Sequence, residues 1–115
     1  MKARFLADAD LRGSILRGVQ RRESKIDFEF LPRILEGLPD PEVLALAASR
    51  NRVLVSHDRA TMPAAFYDFI ARQSSPGLIL VNQSARIGQA VEDLLLCWHL
   101  MDGGELMDQI IYLPF

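Results

Sequence analysis

The sequence predicts an α/β fold: a mostly parallel central sheet of about five strands with helices on both faces, three layers in all. Three observations carry the prediction. Short apolar runs alternate along the chain with longer stretches of helical period, which is the signature of βαβ units. Two of those runs, RVLVS at 52–56 and GLILVN at 77–82, are almost continuously apolar, as strands covered on both faces must be. The length of 115 residues suits a single domain, 1–115, with its own core and no room for a second.

Each element has its own justification. ARFLA at 3–7 is the first strand and runs directly into Asp8 and Asp10. A helix follows over 11–22, and then IDFEF at 26–30 alternates Ile26, Phe28 and Phe30 with Asp27 and Glu29, the period of an edge strand. Asp40-Pro41-Glu42 puts a capping residue before a proline at the opening of a helix over 40–50. RVLVS is the third strand, a helix spans 61–73, and GLILVN is the fourth strand. The last helix, 86–102, carries Ile87, Val91, Leu94, Leu95, Trp98 and Met101 at helical spacing, and Gly103-Gly104 is expected to stop it. IIYL at 110–113 completes the sheet. No repeat, low-complexity tract or linker interrupts the pattern.

Composition narrows the function. Half the residues are hydrophobic, and the formal net charge of −2 argues against a chain coated in positive charge for nonspecific nucleic-acid binding. Cys97 is the only cysteine, which rules out an intrachain disulfide and a cysteine-based zinc cluster and fits a reducing compartment. The apolar run at the N-terminus breaks at Asp8 and Asp10, far short of a signal-peptide core. No window approaches the roughly 20 apolar residues of a membrane span. A cytoplasmic protein without membrane contact is the expectation.

The acids matter by position. In open parallel sheets, ligands bind beyond the carboxyl ends of the strands where strand order reverses. Asp8 and Asp10 follow the first strand, Asp58 follows the third in VLVSHD, and Asp40 and Glu42 open the helix before that strand. If the first and third strands are neighbours, Asp8 and Asp58 meet at one edge. Carboxylates held that close repel and their pKa values rise unless a cation sits among them; a hard divalent ion such as Mg²⁺ answers the problem. Helix capping is a competing account of Asp40 and of Asp10. Asp8 and Asp58 are harder to explain as structure, because each follows an apolar strand at the predicted active edge.

These residues resemble the short PIN-like domains found among the toxins of bacterial toxin–antitoxin pairs. The resemblance rests on FLADAD near the start, DPEVLALAASRNRVLVSHD in the middle, and PGLILVN followed by an amphipathic helix. It implies a Rossmann-like fold and a Mg²⁺- or Mn²⁺-dependent endoribonuclease site, with RNA as substrate and an antitoxin protein as partner. Asp8 matches the acid after the first strand, Asp40 the acid opening the second helix and Asp58 the acid after the third strand. Asp10 and Glu42 stand as auxiliary ligands, and Ser56 or Thr61 as hydroxyls that orient water or phosphate. The chain departs from the pattern after Asp58: relatives commonly read Asp-x-Asp-Phe, whereas this chain reads Asp58, Arg59, Ala60, Thr61. Ala60 therefore weakens the case for two metals.

For holding RNA, RGSILRGVQRRESK at 12–25 concentrates Arg12, Arg17, Arg21 and Arg22, with Arg17 and Arg21 one helical turn apart; a solvated helix face is the plainer account. His57 sits beside Asp58 and invites a general-base role. His99 and Trp98 read as packing or surface. A response-regulator receiver domain shares the size and the acids, but it needs a lysine at the end of its last strand, where this chain has Tyr112-Leu113-Pro114-Phe115. The other rival is a non-catalytic module of the same fold with a degraded acid site, in which IIYLPF at 110–115 serves an antitoxin or a second copy of the chain.

Overall fold

In the computed structural model, which describes residues 1–115, every strand is parallel to its neighbours. The strands are β1 (Phe5–Ala7), β2 (Phe28–Phe30), β3 (Val53–Ser56), β4 (Leu78–Val81) and β5 (Ile110–Leu113), in the spatial order β2-β1-β3-β4-β5. The helices are α1 (Gly13–Arg22), α2 (Asp40–Ser49), α3 (Met62–Ile70), α4 (Ile87–Leu100) and the single turn α5 (Gly103–Leu106). Helices α1 and α4 cover one face and α2 and α3 the other. This is the three-layer, Rossmann-like α/β arrangement that the alternation of runs predicts.

The strand period decides which side chain faces which layer. Phe5 and Ala7, Val53 and Val55, and Ile79 and Val81 enter the core beneath α1 and α4. Leu6, Leu54, Leu78 and Leu80 enter the core beneath α2 and α3. Both faces are buried, which is why these strands read as unbroken apolar runs. Helix α1 contributes Ile15, Leu16 and Val19 and meets α4 at Gly18, where an added Cβ would stand 2.7 Å from Val91 Cγ2. A side chain at that crossing would force the helices apart.

Several boundaries differ from expectation for identifiable reasons. The final helical stretch does not run through 86–102. It ends at Leu100, Met101 turns extended, and Gly103 and Gly104 lie inside α5 rather than stopping a helix. Asp102 causes the restart: its carboxylate accepts from Gly104 N at 2.9 Å while Asp102 N donates to Glu105 at 3.0 Å, a reciprocal capping box. Strand β2 is only three residues long and lies at the sheet edge as expected. Its alternation holds for Ile26 and Phe28 but not for Phe30, 53% exposed at the open rim.

Edge strand β2 is tied down by charge. Arg52 is buried, donates to the Phe5 carbonyl at 3.2 Å, and pairs with Asp27 at 2.7 Å and Glu29 at 2.6 Å. Arg4 and Arg50 approach the same two acids from the outside. No helix is long and apolar enough to cross a membrane.

Candidate functional site

Strand order reverses between β1 and β3: the chain builds outward to β2 from one side and to β4 and β5 from the other. That switch point opens a crevice at the carboxyl end of the sheet. In register, Ala7 lies beside Val55, so Asp8 and Ser56, one residue further along, come together. Both continue the side-chain parity of Leu6 and Leu54, toward the α2 and α3 layer. His57 has the parity of Val53 and Val55 and turns to the α1 and α4 layer.

Two hydroxyls organise the acids. Ser56 Oγ lies 2.8 Å from Asp8 Oδ2 and 3.2 Å from Asp10 Oδ1, and accepts from Asp58 N at 3.0 Å. Thr61 Oγ1 lies 2.7 Å from Asp40 Oδ2 and is also in hydrogen-bond contact with Asp58 Oδ2. A hydroxyl has one proton to donate. Each is thus set between two carboxylates of which it serves one at a time.

The capping account fails for Asp40 and Asp10. Helix α2 receives no side-chain cap, and the Asp40 carboxylate turns to Thr61. Helix α1 also lacks one, and Asp10 accepts instead from His57 N at 3.2 Å. Asp58 is the acid with a helix-opening role: its Oδ1 accepts from Ala60 N at 3.1 Å and Thr61 N at 2.9 Å, just ahead of α3.

These surroundings set the acids apart chemically. Burial pushes the Asp8 carboxyl above the ordinary carboxylate range; the Ser56 hydrogen bond offsets part of this, and repulsion from Asp10 and Asp40 adds to it. Burial also acts upward on Asp58, but the Thr61 hydroxyl and the backbone N–H groups of Thr61, Ala60 and Met62 outweigh it and hold the carboxyl low. Two carboxylates at one edge with opposite perturbations mark a site candidate rather than a uniform charged surface.

Asp8, Asp10 and Asp58 line an open cleft of about 540 Å³ with Arg59, Asn82 and Gln83. Asp40 is not among the lining residues, but Thr61 links it to Asp58 and its charge acts on Asp8. Glu42 is exposed in the first turn of α2, and its side chain makes no hydrogen bond or ion pair with the other acids. No three His, Cys, Asp or Glu side chains converge closely enough to ligate one ion directly.

His57 is not a free base. It is buried, its Nδ1 lies 2.8 Å from the Val81 carbonyl, and its Nε2 accepts from Arg12 N at 3.3 Å. By accepting from Arg12 N, the imidazole does for the start of α1 what its N-cap residue does not. Of the four arginines in the basic stretch, Arg12 opens α1 near the cleft but donates to the Ala85 carbonyl at 2.7 Å. Arg17 folds back over Gly13, Arg21 is exposed in the last turn of α1, and Arg22 pairs with Glu92 at 2.6 Å. Trp98 is buried with Lys2 over its ring, and His99 is exposed against it.

Three lining residues, Arg59, Asn82 and Gln83, were outside the expected site. Asn82 carried a usable signal, since it ends the fourth apolar run just as Asp8 ends the first. Arg59 and Gln83 carried none beyond adjacency. Against known proteins, no family model, no curated protein and no solved structure matches the chain.

Proposed function

We propose that the chain is a divalent-metal-dependent endoribonuclease of PIN-like type, the toxin member of a toxin–antitoxin pair, with Asp8, Asp40 and Asp58 at its core. The observation that carries the reading is the pairing of four carboxylates through two hydroxyls at the strand switch point. Fixed structural acids are normally matched by donors. Here two hydroxyls are shared among four carboxylates, and burial and like charge oppose ionisation of Asp8.

The donor set is entirely oxygen, which fits Mg²⁺ or Mn²⁺ with water completing the shell. Asp8, Asp40 and Asp58 would hold the ion, in part through coordinated water, with Asp10 as an auxiliary acid beside Asp8. Bound there, such an ion supplies positive charge for phosphate oxygens and a water acidic enough to attack. The chain's own contribution is positional. Ser56 sets Asp8 and Asp10 against one another, Thr61 does the same for Asp40 and Asp58, and the start of α3 fixes Asp58 with two backbone N–H groups.

A second reading, a non-catalytic binding module of the same fold, is favoured by Ala60 and by the lack of three acids about one point. Thermal unfolding in EDTA, Mg²⁺ and Mn²⁺ separates the two. An ion at a hundred times its dissociation constant stabilises the fold by about 2.7 kcal/mol. The nuclease reading expects that rise in the wild type and its loss in an Asp8→Asn, Asp58→Asn double variant, together with ion-dependent cleavage of a fluorogenic RNA. No response in either protein overturns it.

A further inference from the structure

We infer that Arg59, seated on the ring of Tyr112, is the residue that grips the phosphodiester backbone of the RNA in the acid cleft. The inference rests on the nuclease reading and supplies what that reading lacks, since a cleft lined by carboxylates repels a polyanion. Among the residues lining the cleft, Arg59 is the only arginine or lysine. It is exposed and immediately follows Asp58, yet it takes part in none of the chain's ion pairs. The Arg12 guanidinium, at the opening of α1, is committed to the Ala85 carbonyl.

Tyr112 accounts for that freedom. The Arg59 guanidinium carbon stands 5.2 Å from the centre of the Tyr112 ring, and Tyr112 is 45% exposed on edge strand β5. The attraction of a cation for an aromatic face holds the guanidinium. It keeps the donors from collapsing onto Asp58 and leaves the planar fork free for a phosphate. Tyr112 is thus a positioning residue and Arg59 the contact residue.

The test is fluorescence anisotropy of a labelled single-stranded oligoribonucleotide, in EDTA and in Ca²⁺, across a series of KCl concentrations. The proteins are wild type, Arg59→Ala, Arg59→Lys, Tyr112→Leu and Tyr112→Phe, with Arg33→Ala, an exposed arginine outside the cleft lining, as control. Each variant's melting temperature is measured with and without Mn²⁺. Arg59→Ala is expected to weaken binding about fivefold to tenfold at low salt and to reduce the salt slope by about 0.7, the worth of one phosphate on a single strand. Tyr112→Leu is expected to weaken binding less while Tyr112→Phe restores it, and Arg33→Ala to change nothing.

Equal binding by wild type and Arg59→Ala, or no binding by wild type in either condition, overturns the inference. The Mn²⁺ response keeps that failure distinct. If Mn²⁺ stabilises wild type and Arg59→Ala alike, the metal site stands whatever the RNA result. If it stabilises neither, the nuclease reading falls on its own.

Discussion

In metal-free protein, Asp8→Asn and Asp58→Ala are expected to shift stability in opposite directions. Asp8 holds its proton more tightly in the fold than in the unfolded chain, because burial and the charges of Asp10 and Asp40 oppose ionisation. Between the ordinary carboxylate pKa and the raised one, the folded state binds more protons than the unfolded state, so stability falls as pH climbs through that window. Asparagine keeps the shape and an acceptor but removes the charge. Asp8 is only partly buried, so solvent screening limits the gain to at most about 1 kcal/mol at pH 8. The gain vanishes below the ordinary carboxylate value.

Asp58 has the opposite sign. Its lowered pKa contributes stability that is present above the ordinary carboxylate value and is lost as pH falls through the folded one. Alanine removes the acceptor for Ala60 N and Thr61 N, a change of the helix-capping kind that costs about 1 kcal/mol. With an unfolding entropy of about 2.1 cal/mol/K per residue, 115 residues give about 240 cal/mol/K, so 1 kcal/mol is roughly 4 °C. Differential scanning calorimetry in EDTA at pH 8 should therefore find Asp8→Asn melting up to about 4 °C higher than wild type and Asp58→Ala about 4 °C lower. A lower melting temperature for Asp8→Asn would refute the reasoning, because Asp8 would then be an ordinary structural acceptor.

Two further outcomes follow from the packing. Gly77→Ala is expected to cost about 3 kcal/mol or more, since Gly77 has a φ of +132° and an added Cβ would lie 2.4 Å from the Leu106 carbonyl oxygen; chemical denaturation measures the loss, and a cost under about 1 kcal/mol would be inconsistent with that clash. Cys97 is buried, and burial followed by the charge of Asp93 pushes its thiol up to about 11. Folded protein at pH 8 should resist iodoacetamide, with labelling appearing only as the fold is denatured; rapid labelling under native conditions would contradict that burial.

The alternation of apolar runs was enough to predict the parallel sheet, because strands buried on both faces cannot disguise their composition. IIYL at 110–113 coincides with β5 residue for residue. Element ends were less visible. Met101 gives no sign of a break, and Gly103-Gly104 reads as a stop where Asp102 in fact starts a new turn. At the site, position after a strand located Asp8 and Asp58, whereas Glu42 was drawn in by adjacency and stands apart. The exclusivity of His57 was hidden because its partners, Val81 O and Arg12 N, are backbone groups brought near only by the fold. Tyr112 reaches Arg59 across the sheet for the same reason: no local pattern encodes a meeting between residues 59 and 112.

The charged staple around β2 has a consequence for how the molecule behaves in company. A sheet border presents unpaired amides that another chain can adopt as a template. Here the border is three residues long, with Asp27 and Glu29 fastened from within by Arg52 and flanked by Arg4 and Arg50. An approaching strand would have to desolvate those ion pairs to gain a few hydrogen bonds. The staple thus opposes edge-to-edge pairing of another chain along β2.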